Sequence, residues 1–319
     1  MGTVGHADQV RAVALSKSAS GRSMLAASWA RSLRHYGLTP EDRKETARLD
    51  AKTLRDRRQS LGRILAIASP VMDRLHASLG LAGCGILLCD AEGVVVDQRT
   101  PASDDKLFEA AGLCRGAVWS EATEGTNGIG TCIAEQRLVT VFRDQHFRDR
   151  NTIMSCMGAP IFDELGQLSA VLDVSSCRAD MNHALAAIIA QSVAEAARQI
   201  EADHFQSVFA EQRILRGLGD GPHSSVLLAI DADDLVVGAT RGARKLYGLG
   251  ALSSAAPQPA DEVLGDSTRR GIGLESAERR ELTRAIARAR GNMTAAARAL
   301  GISRATLYRR AERLGVTRT

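Results

Sequence analysis

The chain has 319 residues, 45% hydrophobic and 24% charged, a balance that excludes a disordered polyelectrolyte and allows two or more domains with their own cores. The formal net charge of +4 is unevenly spread: from Gly265 onward thirteen Arg stand against five acidic residues, so a polyanionic partner is expected for that end alone. Six Cys without a CxxC pair, no basic-then-apolar leader and no apolar run near the roughly 20 residues of a membrane span point to a cytoplasmic protein with free thiols, no metal and no membrane partner.

Residues 1–22 lack any periodicity and are expected to be loose. Residues 23–59 form a helical segment. In "SMLAASWARSLRHYGLTPED" the apolar residues Leu25, Trp29, Leu33 and Tyr36 recur at helical spacing, and Gly37 and Pro40 end the run. From Leu61, the residues Ile64, Leu65, Ala68, Val71, Met72 and Leu75 continue one apolar helix face, with Pro70 marking a kink or a second start. Alternating elements then fill residues 60–180. "CGILLCD" and "GVVVDQ" read as strands around a turn at Asp90–Gly93, and "EQRLVTVFR" as another strand. Ala159–Phe162 and Leu168–Val174 read as a hairpin turning at Asp163–Gly166.

Met181 to Arg216 contains neither Gly nor Pro, which predicts a single connecting helix over 181–217, on the order of 50 Å long and suited to a stalk or dimer seam. Residues 224–250 read as strand, Asp-rich turn, strand and short helix. Residues 251–273, rich in Ala, Ser, Pro and Gly, read as a linker before a helical end at 274–319.

That end carries the most specific pattern. A helix over Ser276–Arg290 stops at Gly291, Thr294 is placed to cap a second helix, Gly301 breaks it, and Ser303 caps a third that runs to Leu314. A small-residue helix, a glycine turn and a basic helix make a helix-turn-helix. Ala305, Leu307 and Leu314 are expected in its core, leaving Arg304, Thr306, Tyr308, Arg309 and Arg310 to reach the major groove or its phosphates.

From Gly291-Asn292-x-Thr294 through Gly301-Ile302-Ser303-Arg304-x-Thr306-Leu307-Tyr308-Arg309-Arg310, this stretch resembles the Fis-type helix-turn-helix of bacterial enhancer-binding regulators. The resemblance implies a homodimer reading inverted half-sites of double-stranded DNA. Its DNA-contacting positions map onto Asn292, Thr294, Ser303, Arg304, Thr306, Tyr308, Arg309 and Arg310. Two further stretches resemble regulators of the acetoin-catabolism type: "AASWARSLRHYGLTPED" their N-terminal helix, and "WSEATEGTNGIGTCIAE", "QHF" and "CMGAPIFDELGQLSAVLDVSS" their GAF sensor domain. The implied fold is α+β: an antiparallel GAF sheet with covering helices, a PAS-like segment over 224–250 and an all-α end.

The glycine loop Gly125-Thr126-Asn127-Gly128-Ile129-Gly130 invites a phosphate-binding reading. No Lys follows at P-loop spacing, and GxxGxG is not the order that a dinucleotide fold needs. In the GAF family this segment borders a ligand pocket, which makes Trp119, Thr126, Asn127, His146 and Cys156 the pocket candidates for an unknown small-molecule effector, with no cofactor.

Full-length members of the resembling family carry a central ATPase that remodels the sigma-54 polymerase. Here no GxxxxGK and no GAFTGA occur, so no enzymatic activity is expected. The favoured reading is a transcription regulator that senses a small molecule or redox state. RNA polymerase or an ATPase-bearing relative are its further partners. The alternatives are a thiol-dependent enzyme on a GAF scaffold and an architectural DNA-binding protein.

Overall fold

A computed structural model describes residues 5–16, 18–217, 225–250, 258–264, 273–289 and 291–316. They fall into two units, one over Met1–Ala260 and one over Asp261–Thr319.

The first unit begins with α1 (His6–Leu15) and α2 (Met24–Ala30), the latter continuing as a π-helical turn over Arg31–His35. Part of the N-terminal stretch read as loose is therefore helical. Val10 and Ala14 of α1 are buried against Trp29 and Phe147, a contact that local periodicity does not reveal. A 29-residue helix, α3 (Ala51–Leu79), starts at Asp50, whose carboxylate accepts the N–H groups of Lys52 and Thr53. Pro70 lies inside it on the exposed side. There water can satisfy the carbonyl that proline leaves without a donor, so the helix neither ends nor restarts.

The central sheet comprises β1 (Cys84–Asp90), β2 (Val95–Arg99), β3 (Val139–Phe142), β4 (Ser155–Phe162) and β5 (Leu168–Ser176), in the order β2-β1-β5-β4-β3 with every pairing antiparallel. Strand alternation sorts the side chains onto two faces. Ile86, Leu88, Met157, Leu172 and Val174 meet α3 and α7 (His183–Val208) in one core cluster. Leu87, Cys89, Cys156 and Val171 face the opposite layer. That layer holds α4 (Asp105–Ala110), α5 (Glu121–Glu124) and α6 (Gly128–Glu135). A sheet covered on both faces explains why "CGILLCD" is buried at every position.

The connecting helix is shorter than its sequence suggests. It ends at Val208, about 39 Å from its start at 1.5 Å per residue, and Arg213–Arg216 forms β6 instead. Phe209 turns the chain: its ring lies 4.8 Å from that of Phe205 and fills the space above Gly238, where a Cβ would meet it at 2.4 Å. Strand β6 pairs with β7 (Leu227–Ile230), which continues to β8 (Leu235–Ala239) and β9 (Gln258–Pro259). Helix α8 (Arg241–Tyr247) follows β8, and β9 runs into the short α9 (Ala260–Val263). The segment over 224–250 thus gains a strand at each end, one from the expected stalk and one from the expected linker. The rest of the 251–273 linker, 251–257 and 265–272, lies outside the described residues. Among the described residues no helix is long and apolar enough to cross a membrane.

The second unit contains α10 (Leu274–Arg288), α11 (Met293–Ala299) and α12 (Arg304–Arg313) around Leu282, Ala285, Ile286, Met293, Ala296, Ala297 and Leu307. Small residues on α11 allow the close crossing that the motif demands. Gly291 and Gly301 adopt φ of 80° and 65°, ending the helices before them.

Close backbone packing explains the glycine loop. A Cβ on Gly130 would lie 2.4 Å from the Glu121 amide nitrogen and 2.7 Å from the Ser120 carbonyl carbon, and backbone cannot yield as a side chain end can. Gly130→Ala is therefore expected to lower unfolding free energy by about 1–3 kcal/mol, measured by urea denaturation. Unchanged stability would show that the loop packs less tightly than this.

Candidate functional site

The surface of α12 is built from its caps. Ser303 Oγ accepts the Thr306 N–H at 3.1 Å and lies 2.8 Å from Thr306 Oγ1, so these two hydroxyls mainly serve each other. The cap of α11 is Asn292 rather than Thr294: its Oδ1 accepts the N–H groups of Thr294 and Ala295, both at 3.1 Å, and Thr294 is exposed. Arg304, Ala305, Tyr308, Arg309 and Glu312 form one exposed strip at helical spacing. The Arg304 guanidinium lies 5.5 Å from the Tyr308 ring centroid, which orients both.

One expectation needs correction. Ala305 is on the exposed strip, and Ala311 takes the buried position with Leu307, while Leu314 is half-buried. Arg310 is exposed on another flank of the helix, where its Nη1 lies 3.0 Å from Glu278 Oε1 on α10. Glu278 also holds Arg313, and sequence alone did not mark it.

The five pocket candidates are all buried. Trp119 donates its indole N–H to the Gly112 carbonyl at 2.9 Å and shares an apolar cluster with Phe108, Ile129, Cys132, Met154 and Cys156. Thr126 Oγ1 lies 2.7 Å from Ser28 Oγ on α2. Asn127 caps α6: its Oδ1 accepts the Gly130 N–H, and its amide donates to the Gly125 carbonyl, both at 2.8 Å. Three clefts of about 600, 470 and 390 Å³ flank α4, and none is lined by any of the five.

His146 and Cys156 do meet. His146 Nδ1 lies 2.9 Å from the Arg143 carbonyl, so this nitrogen carries the proton, and Nε2, 3.4 Å from Cys156 Sγ, accepts from the thiol. Burial pushes the imidazole down to about 4, keeping it neutral at ordinary pH. The chain of polar atoms runs on through Ser175 Oγ, 3.1 Å from Cys156 Sγ, to Asp173 Oδ2 at 2.6 Å.

Asp173 is fully buried, and its Oδ1 has no hydrogen-bond partner among the described residues. It faces Gly128, whose missing Cβ would stand 2.7 Å from that oxygen. Burial pushes the Asp173 carboxyl up to about 7, against the hydrogen bond from Ser175. An acid inside the apolar strand "LSAVLDVSS" was the available signal for it.

All six thiols are held protonated by burial, Cys84 and Cys177 at about 11 and Cys89, Cys114, Cys132 and Cys156 also raised. A thiol-dependent enzyme needs an accessible thiolate, which this environment disfavours.

Beneath the loop, the N-terminal segment docks through charge. Glu121, 3% exposed, accepts from Ser28 Oγ at 2.5 Å and from Arg31 Nε and Nη2 at 2.8 and 3.0 Å. Arg31 also reaches Glu135 at 2.9 Å, and the hydrogen bond to Glu121 raises its guanidinium above its ordinary value. Glu124, also buried, takes Arg150 at 2.6 Å and Arg148 at 3.5 Å.

Comparisons with known proteins agree with this organisation. Residues 63–200 match the GAF domain family, and residues 273–314 match the family described as bacterial regulatory protein, Fis family. The chain is 32% identical over 222 residues to the acetoin catabolism regulatory protein of Cupriavidus necator, a match covering 68% of this chain and 33% of that protein. It is 30% identical over 169 residues to the acetoin dehydrogenase operon transcriptional activator of Bacillus subtilis, covering 52% of this chain and 27% of that protein. Among solved structures, the E. coli DhaR(N)–DhaL complex aligns over 77% of this chain and 85% of that chain, with a TM-score of 0.51 and 15% identity, a likeness of fold.

Two measurements check the site. Arg31→Ala leaves the buried Glu121 carboxylate without its main partner and is expected to cost about 2–3 kcal/mol of stability in urea unfolding; a loss below about 0.5 kcal/mol would contradict a buried pair. Asp173 titrates higher in the folded chain than in the unfolded one, so the folded state holds the extra proton between about pH 4 and 7 and its stability falls as pH rises through that window. Asp173→Asn removes this dependence. Its stability relative to wild type is expected to rise from pH 5 to pH 8, and a pH-independent difference would exclude the raised carboxyl.

Proposed function

We propose that this chain, which belongs to the transcriptional regulators that join a GAF domain to a Fis-type helix-turn-helix, binds operator DNA as a homodimer through α12. In this reading it adjusts that binding to a small molecule and does not hydrolyse ATP. The observation that carries the DNA side is the exposed strip of Arg304, Tyr308 and Arg309 on a helix fixed by Ser303, within the unit that matches the Fis family. Arg304 and Arg309 suit bidentate contact with guanine or with phosphate. Asn292 and Thr294 at the start of α11 suit backbone contacts that set register.

For the sensor, the effector takes the space between the sheet and α4–α6 that Phe108 and Trp119 now fill. Phe108 lies against Gly85, where a Cβ would meet its ring at 2.6 Å, and clefts open on either side of its helix. Movement there reaches α7 across the sheet and, through α7, the second sheet. The relatives' role in acetoin catabolism makes acetoin the first effector to test. Only residues 201–272 separate the two matched regions, and part of that span is the second sheet. Activation of transcription would then run through contact with RNA polymerase or with an ATPase-bearing relative.

Arg304→Ala is expected to weaken binding to an operator recovered by selection with the wild-type chain by about 1–3 kcal/mol at fixed salt. Unchanged affinity would move the recognition surface elsewhere. Purified protein with that operator should release no phosphate from ATP above background, and robust turnover would overturn the ATP-independent reading.

A further inference from the structure

Recognition helices rich in Arg face a general difficulty: every cation within reach of phosphate strengthens binding to all sequences equally. In α12, two of the cations are ion-paired within the protein. Arg310 and Arg313, three residues apart and so on one flank of the helix, converge on the single carboxylate of Glu278 at 3.0 and 2.5 Å. Glu278 belongs to α10, and its side chain is 23% exposed against 44% and 56% for the two Arg, so the acid is the sheltered member. The three line one cleft of about 730 Å³ with Arg309, Glu281, Ala277 and Leu274. Arg309, on the neighbouring strip, has no ionic partner among the described residues and remains open to DNA.

We propose that Glu278 is a positioning residue for specificity: it holds Arg310 and Arg313 against α10, limits the charge that α12 offers to phosphate, and leaves base reading to Arg304, Tyr308 and Arg309. The proposal rests on α12 being the DNA-reading helix. It assigns Arg310, which family resemblance places at the DNA, to an ion pair within the protein. The sharing of one carboxylate by two guanidinium groups also fixes the roll of α12 against α10, and so the direction in which its exposed strip faces.

The test uses the full chain, a random-sequence duplex and the operator selected with wild-type protein, with affinity followed across a salt series. Glu278→Gln keeps the shape and removes the charge. It is expected to bind the random duplex about tenfold more tightly at low salt, to steepen the dependence of log K on log salt by about 1–2 per protomer, and to narrow the preference for the operator. Adding Arg310→Gln and Arg313→Gln to that variant should return the random-duplex slope to the wild-type value. In the wild-type background, the Arg310→Gln/Arg313→Gln pair should change the slope by less than about 0.5, whereas Arg309→Gln should lower it by about 1.

Wild-type slope and random-duplex affinity in Glu278→Gln, with an unchanged circular dichroism spectrum, would overturn the proposal. A drop of about 2 in slope for the Arg310/Arg313 pair alone would overturn it as well, and that comparison does not require Glu278→Gln to fold. Failure of the underlying DNA reading is separate: there, Arg304→Ala and Arg309→Gln would both leave binding unchanged.

Discussion

A carboxylate taken out of water must be matched by charge and hydrogen bonds, and Glu121 is the carboxylate on which the sensor region's arrangement turns. Its partners, Ser28 and Arg31, come from a helix roughly ninety residues earlier in the chain, so satisfying it brings the N-terminal segment onto the domain. Arg31 extends the tie to Glu135 at the far end of α6. Glu124, one turn on, draws in Arg148 and Arg150 from the loop before β4. The stretch "SEATEG" is thus a socket whose two acids meet cations from either side. Trp29 reinforces the dock by donating its indole N–H to the Gln145 carbonyl.

This socket accounts for the glycine loop. With α5 fixed from below, α6 must cross its backbone closely, and Gly130 meets the Trp119–Glu121 backbone where no side chain fits. Gly125, at φ 67°, lies against Phe147, and Gly128 lies over Cys156 and Asp173. Helix α6 is therefore held between the N-terminal segment and the sheet. A ligand that displaced it would disturb the Ser28 and Thr126 hydroxyls on one side and the Asp173 carboxyl on the other.

On the opposite face, α7 links the sheet to the second, smaller one. Glu201 accepts the Phe162 N–H, and burial pushes its carboxyl up to about 7. His204 bonds Glu164 in the turn of the β4–β5 hairpin. Arg241 lies 4.1 Å over the Phe162 ring and reaches Gln136 at the end of α6. The end of α6 and the hairpin tip are thereby in contact with α8, giving the sensor layer a direct path to the second sheet.

Local chemistry determined much of this protein. The strands "CGILLCD" and "LSAVLDVSS", the turn at Asp163–Gly166, the glycine stops at Gly291 and Gly301 and the Ser303 cap were legible because period and capping act over a few residues. The basic end was legible because charge adds along the chain. Tertiary structure decided what depends on distant partners. Residues 213–216 have no local reason to leave a helix, and the ladder with β7 removes them from it. Val10 and Ala14 form too weak a stripe to announce α1 without Trp29 and Phe147. Thr126 and Asn127 show their polar groups in the sequence, but that these bond Ser28 and the Gly130 amide is visible only in the fold. Arg310 reads in the sequence only as a free cation, and its ion pair with Glu278, thirty-two positions earlier, is visible only in the fold. In each case the side chain's chemistry is written in the sequence, while the partner that claims it is chosen only when the chain has folded.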